Sequence, residues 1–274
     1  MLNAPNPPAE SAAPVQAVGH DGERLRAGRQ WGMRIREVSA EGVLLAGGAR
    51  AILLQLANPA VAAGVAEHSD FAGRPLDRLH GTLTYLYVIV FGSPEEAASI
   101  ARRVGQAHRP VRGEGYDARD TELQVWVAAT IYDTAMQVHE LVFGEGVRRD
   151  AQLLADYAVV GGALGVPEGA WPSSPEAFAE YWASQRPQVG EHARGVAREL
   201  LHPRSGPVWM RALMPTVRAF TAGLLSPELR EAYGLPFNEK RFVRMLRVAR
   251  AVYPRLPRAL RHAPMRRYLR AFRS

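Results

Sequence analysis

"TELQVWVAATIYDTAMQVHELVFG" occupies Thr121–Gly144, and its apolar residues fall on nearly every face of a helix. Asp120 just before it is a predicted N-cap, and Gly144 is a predicted stop. A helix that is greasy on most sides belongs in the middle of a helical assembly, not on its surface. This stretch therefore predicts an all-α chain, a single mainly helical domain built around buried central helices. Within it Trp126, Thr130 and Asp133 form a stripe at i, i+4 and i+7. A carboxylate that deep in an apolar helix needs a partner. A histidine N–H, an arginine or a main-chain donor would serve, and a structural salt bridge is the plainest solution.

Working outward, "GGARAILLQLANPAVAAGVAEHS" (47–69) is Ala/Leu-rich and broken once, at Pro59, which predicts two helical pieces. "PLDRLHGTLTYLYVIVFG" (75–92) places Leu79, Leu83, Leu86, Tyr87 and Val90 at helical intervals, although its β-branched end would also suit a strand. "SPEEAASIARRVGQAHR" (93–109) opens with a serine cap, a proline and two acids, a strong helix start. It must stop near His108, because Pro110 disfavours helix at Arg109. "PVRGEGYDARD" (110–120) reads as a loop. Downstream, helical stretches are expected around 148–164 and 175–201, followed by an arginine-rich arm. Few segments alternate with period two, and no βαβ rhythm is visible.

The chain has 274 residues, 47% hydrophobic and 22% charged, ample for a buried core. It has no cysteine, which excludes disulfides, thiolate metal sites and cysteine nucleophiles and fits a reducing cytoplasm. Residues 1–20 lack a basic start and an apolar run, so they read as a disordered leader ahead of a helical region from 21 to 274. No apolar run approaches the ~20 residues of a membrane span. The net charge of +7 is uneven: from Arg241 to Ser274 there are eleven arginines and no Asp or Glu. The remaining 23 basic residues face 27 acidic ones. The basicity thus belongs to the arm and not to a general nucleic-acid-binding surface. "RFVRMLRVARAVYPRL" (241–256) is an amphipathic helix with a solvated arginine face, either packed on the body or touching a membrane surface. Oligomeric state is not encoded in any pattern.

Two groups of residues carry possible chemistry. Arg78 and Thr82 are four apart, so an arginine and a hydroxyl share one face of an otherwise greasy helix. Arg78 could equally snorkel to solvent while Thr82 bonds back to a carbonyl. His108 falls at a helix end, with Arg109 and Arg112 just beyond. No HxH or HxxxH pair accompanies it, whereas zinc and non-haem iron sites want three or four protein ligands. Haem iron wants a single imidazole, because the porphyrin supplies four nitrogens, and nearby arginines can meet its propionates. That narrows the options without establishing haem.

The segments "ARAILLQLANPAVAAGVAEHSDF", "RLHGTLTYLYVIVFGSPEEA", "HRPVRG", "YDARDTELQVWVAATIYD" and "YGLPFNEKRFVRMLRVARAVYPRLP" resemble, in order, the bacterial oxygenases of the mycophenolic-acid-B type, with rubber oxygenase as a distant relative. The resemblance runs from about Gly42 to Leu260. It implies an all-helical fold around haem b, with O₂ activation and oxidative cleavage of an alkene in a small apolar substrate, terpenoid or lipid-like. His108 matches the family's iron ligand, and Arg78 and Thr82 match its arginine–threonine pair, making them the candidate catalytic residues. Arg109, Arg112, Trp126, Thr130 and Asp133 join His108 as candidate cofactor-binding residues. Two positions depart from the pattern: relatives carry histidine where this chain has Asn58 and Ala128. No residue is assigned to the acidic base of the rubber-cleaving enzymes, although Glu67 lies near that region, so activity on polyisoprene is not implied. A haem-binding module without turnover and a metal-free binder of a lipid or partner are the rival expectations.

Overall fold

In the computed structural model, residues 32–68, 75–144, 149–203 and 208–274 are described, with side chains of the helix starting at Pro75 described from His80 onward. The expected leader at 1–20 lies outside these residues. Helix α1 (Met33–Ser39) leads through a 3₁₀ turn (Gly42–Gly47) into α2 (Gly48–Leu56) and α3 (Pro59–His68). Then come the pair α4 (Pro75–Phe91) and α5 (Pro94–His108), a two-residue ladder of β1 (Arg112–Gly113) and β2 (Tyr116–Asp117), and the long α6 (Thr121–Phe143). Helices α7 (Ala151–Leu164), α8 (Pro175–Ser184), α9 (Glu191–Leu201), α10 (Val208–Leu224) and α11 (Pro227–Ala232) follow. The arm is α12 (Glu239–Val252), a 3₁₀ turn (Tyr253–Arg255), α13 (Arg258–Arg261) and α14 (Ala263–Arg273). The fold is all-α.

Local chemistry accounts for most boundaries. The Oδ1 of Asn58 accepts hydrogen bonds from the Ala60 and Val61 amides, at 3.0 and 3.3 Å, so it starts α3 where Pro59 interrupts the chain. The axis turns there by 106°. Ser93 and Glu96 form a reciprocal capping box at the head of α5. The β-branched "YVIVF" stays helical, since Tyr85, Tyr87, Val88, Ile89 and Val90 are all buried and packing outweighs their strand preference.

Three expectations are corrected. The 110–120 segment is not all loop: Arg112 pairs with Asp117 and Gly113 with Tyr116 in a small antiparallel ladder. The 175–201 stretch is two helices, parted by the Gln185–Gly190 segment, where Pro187 lacks the N–H that a continuous helix would need. Asp120 occupies the N-cap position of α6 but does not cap it; its side chain accepts from the Asp117 amide at 3.3 Å, on the side of the ladder.

Helix α6 is central, as its composition requires. It packs against α1, α2, α7, α12 and the first 3₁₀ turn. Tyr132 is 1% exposed and meets Tyr157, Trp171 and Phe178 edge-on, at 5.1, 6.3 and 4.8 Å between ring centres. Trp126 stacks on Trp182 at 5.5 Å and donates its indole N–H to the Gln55 carbonyl. Gly47 lets the 3₁₀ turn approach α6 closely, because a Cβ there would fall 2.6 Å from Thr134 Cγ2.

The partner that Asp133 needs is Arg50, 6% exposed and projecting from α2. Its NH2 donates to Asp133 Oδ2 and its NH1 to Thr134 Oγ1, both at 2.7 Å, and its Nε to the Leu224 carbonyl at 3.0 Å. Arg149 takes the other oxygen of Asp133 at 2.7 Å and also pairs with Glu140. Burial lowers the Arg50 pKa, and Asp133 opposes that shift. A second polar node fastens the arm: buried Glu41 accepts from Tyr253 Oη at 3.0 Å and pairs with Arg261 at 3.1 Å, with His262 at 3.3 Å. Arg273 grips Glu96 with two nitrogens and holds that carboxyl at about 2.

Arg50→Ala should lower the unfolding free energy by about 3–5 kcal/mol, read from urea denaturation, because Asp133 stays buried without its main partner. Arg50→Lys should recover only part of this, since an ammonium cannot reproduce the planar fork. A pH test is available at His139, 7% exposed and stacked on Phe143, whose pKa is pulled below 6.5 by burial while Glu41 and Glu140 oppose. The folded chain then binds fewer protons than the unfolded one, so stability present above pH 6.5 is lost as pH falls below it. His139→Gln should show a shallower decline of Tm with acid than the parent.

Candidate functional site

Seven elements enclose a cavity of about 140 Å³. Its wall is mostly aliphatic: Leu44 and Leu45 of the 3₁₀ turn, Ile52 of α2, Val61 and Val65 of α3, Leu83 and Leu86 of α4, Ile131 of α6 and Val160 of α7. The polar residues among the described lining are Ser39, Gln55, Thr82, Tyr87, Thr134 and Tyr157, with Ser39 Oγ and Tyr157 Oη 3.5 Å apart. Tyr87 and Tyr157 are 4% and 2% exposed, and burial raises both phenol pKa values well above the usual range. They stay protonated, so toward a ligand they are hydrogen-bonding phenols and not bases. Leu45 and Thr82 are the exposed lining residues, and they mark the side where the cavity meets solvent.

Among the described side chains, Thr82 is the one sequence-predicted site residue in this wall. Arg78 lies one turn earlier on α4, but its side chain is outside the described residues. His108 is the last residue of α5, which packs along α4 across the turn at Gly92 and Ser93. The residue is half-buried, and its Nδ1 is closed off from solvent. It does not line the cavity. Arg109 and Arg112 are exposed beyond it.

The stripe on α6 is engaged in packing. Trp126 is in its stack, Thr130 donates to the Val127 carbonyl at 2.7 Å, and Asp133 is held between two arginines. None of the three lines the cavity. Thr134, which follows Asp133, does line it and receives Arg50. The polar node of the fold thus reaches the cavity wall through a neighbour of the residue that the sequence singled out. The two departures have structural positions too. Asn58 is the α3 cap, and Ala128 is 1% exposed in the seam between α6 and α7, where a Cβ on Gly161 would lie 3.5 Å from its own. An imidazole at either position would displace a cap or overfill a helix contact.

Sequence reasoning missed Arg50 and Tyr116. The signal for Arg50 was a lone charge inside an apolar helix. For Tyr116 it was the glycines around it in "RGEGYD". The Tyr116 ring lies between Gly113, where a Cβ would fall 2.7 Å from it, and Gly64 of α3, where the gap is 3.3 Å. Its hydroxyl donates to Glu67 Oε2 at 2.6 Å and lies 3.0 Å from His68 Nε2. The Glu67 carboxylate pushes the phenol pKa up to about 12. Because the Val111 amide bonds to the His108 carbonyl, this latch fastens to α3 the segment that directly follows His108.

Among the described residues no group of three or more His, Cys, Asp or Glu could hold a metal ion. A donor set of one imidazole suits a macrocycle that brings its own nitrogens, although that imidazole lies outside the wall of the apolar cavity.

Residues 35–255 match the family described as ER-bound oxygenase mpaB/B′/rubber oxygenase, catalytic domain. The chain is similar to proteins named as uncharacterized from Mycobacterium bovis and Mycobacterium tuberculosis. Each is 36% identical over 221 residues, 73% of this chain and 84% of the relative. No solved structure matches it.

Tyr116→Phe removes the hydroxyl that meets Glu67 and His68 while keeping the ring between its glycines. Amide hydrogen exchange across 111–118 should then run roughly three- to tenfold faster, with exchange in α6 unchanged. Equal exchange in both proteins would show that the latch does not hold this segment.

Proposed function

The chain belongs to the family of mpaB and rubber oxygenase catalytic domains, and from that premise we propose that it is a haem-b-dependent oxygenase using O₂ on a small apolar substrate, terpenoid or lipid-like. Oxidative cleavage of an alkene is the proposed reaction. The observation that carries the reading is the aliphatic cavity whose open side holds Thr82, one helix away from a half-buried histidine at the end of α5.

In this reading His108 would hold the haem iron, and Arg78, Arg109 and Arg112 would be the cations available to the haem carboxylates. Bound haem would supply the redox chemistry that lets O₂ react with a carbon–carbon double bond. The rest is the work of this chain's own residues. Leu83, Leu86, Ile131 and Val160 bind an apolar chain by excluding water from it. Thr82, as the polar group at the entrance, orients the reacting end of the substrate or of oxygen by a hydrogen bond. Tyr87 and Tyr157 keep their protons and orient any polar tail. Arg50 keeps Thr134 in the wall, so its role is to position and not to react.

A second reading draws on the same cavity. Because His108 is outside the cavity wall, a helical carrier of an apolar ligand, without metal, would need only the aliphatic wall.

Protein purified from haem-replete cells should be red, with a Soret band and about one iron per chain, and dithionite with CO should shift the band. His108→Ala should lose or shift the Soret band and lose most of the iron while the far-ultraviolet circular dichroism stays helical. A colourless, iron-free preparation defeats the haem reading and leaves the carrier. A haem protein whose reduced iron takes up neither CO nor O₂ would be a binding module without turnover.

A further inference from the structure

Exposed large apolar side chains are concentrated on two helices packed against each other. On α10, Val208, Trp209 and Leu213 are 76%, 63% and 52% exposed, with exposed Arg211 among them. On α12, Val243, Val248 and Val252 are 43%, 57% and 51% exposed, interleaved with exposed Arg244 and Arg247. The two helices are joined by Arg241, whose NH2 donates to the Pro215 carbonyl at 3.2 Å, and by Phe242 packed on Phe220 and Gly223. The inward side of α12 is spoken for: Leu246 is buried, and Arg250 donates to the Leu141 carbonyl at the end of α6. The outward side therefore carries apolar and cationic groups that the fold does not use.

We infer that the outward faces of α10 and α12 form a peripheral docking surface for an anionic lipid bilayer. Charge complementarity selects this occupant. Arg211, Arg244 and Arg247 are exposed on these two faces, and from Arg241 onward the sequence has no Asp or Glu. Pairing with a second copy would bring arginines against arginines, whereas an anionic headgroup layer neutralises them. The apolar component fits the same partner. Tryptophan is the side chain most at home in the headgroup region, and Leu213 lies one helical turn beyond Trp209, so both enter from one face. Arginine stems among valines let the guanidinium groups reach phosphates while the valines lie at the acyl boundary. This is attachment to one leaflet, not insertion; among the described residues no single helix is long and apolar enough to cross a bilayer.

The experiment is co-sedimentation of the full chain with vesicles of equal parts phosphatidylcholine and phosphatidylglycerol, against phosphatidylcholine alone. Binding to the anionic vesicles should be at least about tenfold tighter and should weaken as salt is raised. Trp209→Ala with Leu213→Ala should reduce partitioning about tenfold, as should Arg244→Gln with Arg247→Gln, each at unchanged Tm. Should either pair unfold the chain, Trp209→Ser alone and Arg244→Gln alone provide the same comparison with smaller changes. Equal sedimentation with both vesicle types, no sedimentation, or wild-type partitioning by the folded variants overturns the inference. So does a dimer in sedimentation velocity that dissolves on Trp209→Ala, or retention of duplex DNA in preference to anionic vesicles.

Discussion

A guanidinium group sealed inside an apolar helical core governs this molecule. Arg50 cannot be hydrated where it sits, so it must meet an anion and acceptors there, and Asp133, Thr134 and the Leu224 carbonyl supply them. Those three partners lie on α6 and α10, while Arg50 itself comes from α2. One side chain therefore fixes the mutual placement of three helices. Asp133 is in turn completed by Arg149, so neither charge is left unmatched. A network of this kind restricts the chain to one arrangement, since any slippage between helices would leave a buried charge without a partner.

The cavity inherits its shape from that arrangement. Thr134 both accepts from Arg50 and lines the wall, and Gly47 lets the opposite wall come within touching distance of it. The remaining wall comes from α1, α3, α4 and α7, whose positions are set by the aromatic cluster around Tyr132 and by the sharp turn at Asn58. A second buried polar node at Glu41 clamps the C-terminal arm over the 3₁₀ turn that carries Leu44 and Leu45. The arm is thus joined to the body by polar contacts on one side and presents arginines and valines on the other. An oxygenase that takes an apolar substrate from a membrane would use such a surface, because substrates of that kind concentrate in lipid.

The candidate site was legible in part. His108 could be singled out because it ends a helix beside arginines with no second histidine nearby, and Thr82 because a hydroxyl shares a helix face with Arg78. Thr82 proved to be in the cavity wall. Trp126, Thr130 and Asp133 were notable for the right reason, the expense of burying polar groups in α6. What met those groups, however, was protein: a carbonyl, a tryptophan and two arginines. The stripe rule identifies residues that need partners, but says nothing about whether the partner is a ligand or another helix. Asn58 and Ala128 looked like losses of pocket chemistry in one dimension and are a helix cap and a close helix contact in three.

Sequence alone determined the helices, because caps, prolines and apolar periodicity act within a few residues of chain, and it determined that α6 must be central, because no surface could tolerate its composition. It also determined the asymmetry of charge, which is a matter of counting. Tertiary structure decided what depends on long-range pairing: that Arg50 meets Asp133, and that Tyr116 latches the segment after His108 to α3. The physical reason is the same in each case. A buried polar group or a tight glycine contact is satisfied by whatever the fold brings within about 3 Å, and residues that distant in the chain become neighbours only once the helices have packed.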